Sequence, residues 1–301
     1  SYHKKYKVQK KYYKYFIIIP VYNEYNYILE TLNSINNNAI EYLDNLLVVL
    51  VINNTIGDSQ EIKNNNYKTH RLINEQKYQY EYLVIDCYSI GNELNKKYSG
   101  VGISRKIGMD FIVYYSKPNS LIFSLDADTL ISKKYIETIS NIFEKFKIKV
   151  CTINFYHQTS QNIMIEKAIR LYETKLKQIA RKIKNAGSPY GYVSMGSAIA
   201  CTAEVYLSIG GMSKKQATED FYFLQALAKH TSIYQIDKIL VYPSSRCEQR
   251  VYLGTGYRLQ EFQTQKQFRN LDYSRNAYKN LKEIIRLCQE MWGVEYNIIY
   301  N

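Results

Sequence analysis

Residues 121–129 read Leu-Ile-Phe-Ser-Leu-Asp126-Ala-Asp128-Thr129, a short apolar run that ends in two carboxylates spaced i, i+2. Such a run reads as a buried strand. Three similar runs precede it: Phe16-Ile-Ile-Ile19, halted by Pro20; the Val-rich Leu46 to Ile52; and Tyr82 to Ile85. Between them lie helical patterns, with Ile28, Leu29, Leu32 and Ile35 at helical spacing and a second helix over Gly102 to Tyr115. Strands alternating with helices predict a mostly parallel sheet covered on both faces. In open α/β sheets ligands bind outside the carboxyl ends of the strands, where Asp126 and Asp128 fall. Two neighbouring carboxylates repel one another, and oxygen-only ligands favour Mg²⁺ or Mn²⁺ as the partner that reconciles them. The plainer alternative is a strand-end turn in which Asp128 caps the next helix.

The second half is less regular. Ser132 reads as the N-cap of a helix through Phe146, and Ile163 to Lys184 is a long helical pattern rich in Lys and Arg. A loop at Gly187-Ser-Pro-Tyr-Gly191 precedes the small-residue segment Val193 to Cys201. Gly210-Gly211 breaks the chain before Glu219-Asp220, which opens a helix, and the last stretch beyond Gly254-Thr-Gly256 is polar and helical. No repeat or glycine-serine linker divides the chain. The expected organisation is a basic tail over 1–15, a catalytic domain over 16–240 and a flap with a helical extension over 241–301. Within the domain, 16–130 reads as one nucleotide-binding α/β unit, and the family resemblance described next implies that 131–240 is the acceptor half.

Four segments, in this order, resemble the inverting family 2 glycosyltransferases of the GT-A fold. They are Phe16-Ile-Ile-Ile-Pro20-Val-Tyr22-Asn23-Glu24, Val48-Val-Leu-Val-Ile-Asn53-Asn54-Thr55, Asp126-Ala-Asp128 and Ala217-Thr218-Glu219-Asp220. The resemblance spans residues 16 to about 230. It implies a GT-A-type nucleotide-binding sandwich with a mostly parallel central sheet flanked by helices and a helical C-terminal extension. It also implies transfer of a sugar from a nucleotide-diphosphate sugar, UDP-sugar foremost, to an acceptor hydroxyl with inversion. Asp128 then holds Mn²⁺ or Mg²⁺, Asp126 contacts the ribose or the metal, Asp220 is the general base and Glu219 orients the acceptor or tunes Asp220. Pro20, Tyr22, Asn23 and Glu24 line the nucleotide crevice, and Asn53 and Asn54 stand where the family places groups for the base. There the commoner pattern has an Asp, so the base contact differs; a strand-ending Asx turn is the other reading of the two Asn residues. Gly102-Ile-Ser-Arg105-Lys106-Ile-Gly108 resembles the family's Ala-Arg-Asn-x-Gly segment. Arg105 there reaches the nucleotide or diphosphate as a fixed cation, or simply pairs with a surface acid. The Gln-x-x-Arg-Trp motif of processive relatives is missing, since the only Trp is Trp292. Arg246, Arg250, Gly254-Thr-Gly256 and Arg258 read as a mobile flap that clamps phosphate.

Composition narrows the partners. Forty Lys and Arg against 27 Asp and Glu give a net charge of +13, which suits nucleic acid, an anionic membrane surface or a phosphate-bearing substrate. The lysines are dispersed and no nucleic-acid motif is present, so nucleic acid is not expected as a partner. A glycan, a lipid-linked sugar or another hydroxyl acceptor is, with peripheral contact to anionic membrane drawing on the charge. Five scattered cysteines form no Cys-x-x-Cys pair, which predicts reduced thiols. No apolar run approaches the ~20 residues that span a bilayer, and the basic N-terminus lacks the apolar core of a secretory signal; a cytoplasmic protein is expected. The four histidines show no metal spacing, although His157 or His230 is available to complete a metal shell. The competing classes are a nucleotidyltransferase, an aspartyl-phosphate-type phosphatase, a basic nucleic-acid-binding protein and a catalytically silent glycosyltransferase-like protein.

Overall fold

The strand β1 (Tyr13–Val21) is buried at every position except Lys14, because its β-branched run is flanked on both sides. In the computed structural model, which describes residues 6–214, 218–247, 254–269 and 271–292, β1 pairs in parallel with β2 (Leu46–Asn53) and with β4 (Ser116–Ser124). Pro20 lies beyond Ile18–Ser124, the last pair that β1 shares with β4. Only one flank is laddered there, so a residue without an N–H is tolerated in a central strand. The helix α1 (Ile28–Asn36) buries Ile28, Leu32 and Ile35 on one face as the spacing predicts, and the short α2 (Ile40–Leu43) leads into β2. The helix α3 (Gln60–Asn74), capped by the Ser59 hydroxyl, leads to β3 (Glu81–Cys87), which extends the parallel set beyond β2.

The helix α4 (Val101–Ile112) packs on β1 and β2. Gly108 makes this close approach possible: a Cβ there would lie 2.5 Å from the Ile18 Cγ2 and 3.2 Å from the Val51 Cγ2. Alanine is the better helix former, but its methyl overpacks this seam. Gly108→Ala is therefore expected to lower stability by about 1–3 kcal/mol in denaturant unfolding.

The remaining strands are β5 (Leu130–Ile131), β6 (Val150–Phe155), β7 (Ile199–Thr202) and β8 (Tyr234–Tyr242), and the sheet order is β3-β2-β1-β4-β7-β6-β8-β5. The parallel reading holds across β3-β2-β1-β4. Beyond β4 the sheet is mixed: β7 runs antiparallel to both β4 and β6, β6 and β8 are parallel, and β5 is antiparallel to β8. The helix α5 (Tyr135–Phe146) departs from the expected start at Ser132. The Ser132 hydroxyl instead accepts from the Lys134 N–H in the preceding turn. The Asn38 side chain accepts from the Ile136 N–H at 3.2 Å, so the cap comes from another part of the fold.

The chain forms two compact units, 1–158 with 194–244 and 159–193 with 245–301. In the second unit the helix α6 (Ile163–Asn185) contributes Ala168, Ile169 and Tyr172 to a cluster with Leu259 and Phe262. The helices α7 (Ala203–Ser208) and α8 (Glu219–His230) belong to the first unit; α9 (Thr255–Gln265), which carries Leu259 and Phe262, and α10 (Arg275–Glu290) belong to the second. Arg250 of the expected flap and Ala217 of the fourth motif lie outside the described residues. All five cysteines are free thiols.

Candidate functional site

Beyond the end of β4 the Leu125 N–H donates to the Ile18 carbonyl, and the Thr129 N–H donates to the Asp126 carbonyl. Asp126-Ala-Asp128-Thr129 is therefore a tight turn at the carboxyl edge of the sheet. Two side chains clamp it from outside: the Thr31 hydroxyl donates to the Ala127 carbonyl, and the Gln158 amide donates to the carbonyls of Asp128 and Tyr242, each at 2.9 Å. Asp126 is about one-third exposed, and both its carboxylate oxygens are engaged. The Arg105 guanidinium holds one and the Ser197 hydroxyl the other. Ser197 is itself buried, 3.2 Å from the Thr129 hydroxyl. Asp128 is half-exposed on the turn.

Arg105, 2% exposed on α4, reaches Glu219 with its second amino group. One guanidinium thus joins the strand-end turn to the acidic pair that opens α8. Burial opposes its charge, and Asp126, Glu219 and Asp220 outweigh that opposition, holding its pKa above the ordinary value. Gly196 provides the room, because a Cβ there would collide with the guanidinium. Arg105 thus pairs with two acids, one of them the buried Glu219.

Glu219 is 4% exposed. Burial pushes its pKa up to about 7 against the pull of Arg105, and Asp220 adds to the rise. One cation shared among three carboxylates leaves an excess of negative charge, and a bound proton relieves it. Asp220 is half-exposed. Its pKa is also raised by burial, while Arg105 and the Phe221 N–H, which donates at 2.7 Å, moderate the rise. Thr218, just before them, has a left-handed backbone at φ +56, an uncommon state for a β-branched residue and a mark of local strain. Between the unfolded Glu value near 4.5 and about 7, the folded chain keeps a proton on Glu219 that the unfolded chain has released. The contribution of this group is thus fully present below pH 4.5 and is lost as pH rises through 7. Urea midpoints of the wild type are expected to fall relative to Glu219→Gln across that window and to run parallel outside it.

The crevice side is built by two residues the motifs did not reveal. Asn66 on α3 accepts from the Asn23 N–H at 3.0 Å, and its amide donates to the Asn53 carbonyl and the Asn54 side chain at 2.9 and 3.1 Å. Asp58 accepts from the Tyr22 hydroxyl at 3.2 Å and the Thr55 N–H at 2.7 Å. Burial and the Asp58 charge push Tyr22 up to about 12. Asn23 adopts a left-handed backbone at φ +59, which Asn tolerates. Glu24 is buried, and its carbonyl accepts from the N–H groups of Tyr27 and Ile28 at the start of α1. Asn53 and Asn54 are 4% and 1% exposed, with the Asn53 amide donating to the carbonyls of Val21 and Val51. These contacts commit both side chains within the fold. One signal for Asn66 was in the sequence: it shares the buried stripe of α3 with Thr69 and Ile73, a polar residue on a face otherwise turned inward.

Among the described residues no three His, Cys, Asp or Glu side chains stand close enough to hold an ion alone. His157 is fully buried, edge-on to the Phe155 ring and next to Gln158. His230 is exposed at the last turn of α8, about 16 Å along the helix from Glu219. His70 pairs with the Tyr88 hydroxyl.

The sheet order, with a D-x-D turn beyond β4 and an acidic pair at the start of α8, defines the GT-A glycosyltransferase fold. The chain is similar to S. aureus TarS 1–349 in complex with UDP-GlcNAc, at a TM-score of 0.54 and 14% identity over 94% of this chain and 77% of that one. It is likewise similar to TarS 1–349 alone (0.51, 14%, 77% and 60%) and in complex with UDP (0.50, 14%, 83% and 70%). Residues 4–148, just under half of the chain, match the family model of chondroitin N-acetylgalactosaminyltransferase. No curated protein matches the sequence. No described helix is long and apolar enough to cross a membrane.

Proposed function

We propose that the chain is an inverting glycosyltransferase of the family 2 type that moves a sugar from a UDP-sugar to an acceptor hydroxyl. One observation carries this reading: the buried Arg105 joins Asp126 of the strand-end turn to Glu219, and so sets Asp220 beside the edge where open α/β sheets bind ligands. The TarS complexes with UDP-GlcNAc and UDP support a uridine nucleotide.

Asp220 takes the proton of the acceptor hydroxyl as that oxygen bonds to the anomeric carbon and the bond to the diphosphate breaks. No protein nucleophile intervenes, so the configuration inverts. The raised pKa of Asp220 makes it a stronger base than an ordinary carboxylate. Glu219, fixed by Arg105, holds Asp220 in register and tunes it by like charge. Tyr22, Asn23 and Glu24, braced by Asp58 and Asn66, form the wall for the nucleotide.

The donor set fits a hard divalent ion. As the D-x-D resemblance implies, Asp128 would hold Mn²⁺ or Mg²⁺ and Asp126 would contact the ribose or the metal, since such ions use one or two carboxylates together with substrate phosphates. When bound, the ion neutralises charge on the leaving diphosphate. The test is the anomeric configuration of the product. Proton NMR of a reaction with an α-linked UDP-sugar is expected to show a β-linked product; a retained α-linkage would sink the inverting assignment.

A further inference from the structure

The opposite, amino-terminal edge of the sheet carries a second built surface. Lys11 and Lys117 both stand over the Tyr12 ring, each 5.4 Å from its centroid, and so join the start of β1 to the start of β4. Lys14 pairs with Glu144 at 2.8 Å, which brings the last turn of α5 to the same edge. There Lys145 lies 5.2 Å from the Phe146 ring centroid, and the other neighbour of that ring is Tyr234, stacked at 5.5 Å. Lys117 itself lines a cleft of about 440 Å³, whose apolar part is Val113, Pro118, Ala203 and Leu207 and whose polar part is Ser116, Glu204 and Ser208. Lys149 reaches the rim of this cleft through Glu204 at 3.0 Å. Tyr12, Phe146 and Leu207 are 44%, 49% and 54% exposed. Lys11, Lys117, Lys145 and Lys147 are exposed and have no carboxylate partner among the described residues.

We infer that this edge docks on an anionic bilayer surface. Lysines alternating with half-exposed aromatic rings are the side chains that settle at the head-group level, with ammonium groups on lipid phosphates and apolar parts below them. The cleft accepts the apolar boundary under the head groups. Nucleic acid fits less well, because base stacking needs open ring faces and those of Tyr12 and Phe146 are taken by lysines and Tyr234. A second copy of the chain fits less well too, since this face would meet its own positive charge.

The Asp126 turn lies at the other end of β4, about 30 Å from Lys117 at the rise of an extended strand. A chain docked by this edge points its D-x-D turn away from the bilayer. If the turn is the transferase site proposed above, the acceptor hydroxyl belongs to a molecule standing clear of the head groups rather than to a lipid head group itself.

Vesicle flotation tests this with phosphatidylcholine alone and with added phosphatidylserine. The wild type is expected to bind only the phosphatidylserine vesicles and to release in high salt. The triple variant Lys11→Glu/Lys117→Glu/Lys145→Glu should bind about tenfold less, while Lys68→Glu on α3, an exposed lysine of the same unit away from this edge, should bind like the wild type. Leu207→Ser leaves the lysines in place and should also weaken binding. Equal binding to both vesicle types, or full binding by the triple variant, overturns the proposal. So does binding to single-stranded RNA that the triple variant loses while neither vesicle is bound. Nucleotide-sugar thermal shifts of the same variants should match the wild type, which keeps a failed docking surface distinct from a failed donor site.

Discussion

Asp220→Asn is expected to lower turnover by roughly 10²–10⁴-fold, the usual contribution of a positioned general base. Asn keeps the shape and can still accept from the Phe221 N–H, as the Asp220 carboxylate does at 2.7 Å, but it cannot take a proton at neutral pH. Donor binding should therefore survive, so kcat falls while the nucleotide-sugar thermal shift stays. That split separates a base from a residue that merely holds the helix start. The pH–rate profile adds a second readout. Burial raises the Asp220 pKa, so activity should rise with pH through a value above that of an ordinary Asp, and this limb should vanish in the variant. A variant with unchanged kcat would move the base elsewhere.

Arg105→Ala is expected to cost about 3–5 kcal/mol of stability, the range for breaking a buried ion pair from one side. Its removal leaves Glu219 buried and Asp126 without its cation, and Asp220 loses the positive charge that moderated it. Carboxylates left this way must protonate or move apart, so the acidic pair and the strand-end turn should come out of register and activity should fall with stability. Arg105→Lys separates charge from shape: an ammonium restores one positive charge but cannot span two acids with two arms. It should recover part of the denaturant midpoint and little of the turnover. A wild-type midpoint for Arg105→Ala would remove the claim that this guanidinium ties the site together.

The first half of the fold was legible because four strands each announce themselves as an apolar run. Phe16 to Ile19, Leu46 to Ile52, Tyr82 to Ile85 and Leu121 to Leu125 all fall within or directly beside observed strands. The second half was opaque for physical reasons. In β8, charged Asp237 and Lys238 interrupt the apolar pattern, and the pairing of β6 with β8 slips register around Asn154. The segment Ile199 to Thr202 is short and small, so nothing in it declares an antiparallel strand inserted between β4 and β6. Ser132 looked like an N-cap, but the cap is Asn38, almost a hundred residues earlier in the chain. In the candidate site the carboxylates stood out, whereas their supports did not. Ser197, Thr31, Gln158, Asp58 and Asn66 are ordinary polar residues whose importance exists only once distant segments meet. Arg105 was visible as part of a motif, yet its bridge from Asp126 to Glu219 required the fold to bring those acids to one guanidinium.

The most direct test of the central claim is thermal-shift binding of a nucleotide-sugar panel with and without Mn²⁺, on wild type and Asp128→Asn. Ligand present at a hundredfold excess over its Kd adds ~2.7 kcal/mol to the apparent stability of the folded state. The predicted result is a shift with a UDP-sugar that needs Mn²⁺ and is lost in Asp128→Asn. No shift with any nucleotide sugar, or one that is indifferent both to Mn²⁺ and to Asp128→Asn, would contradict it.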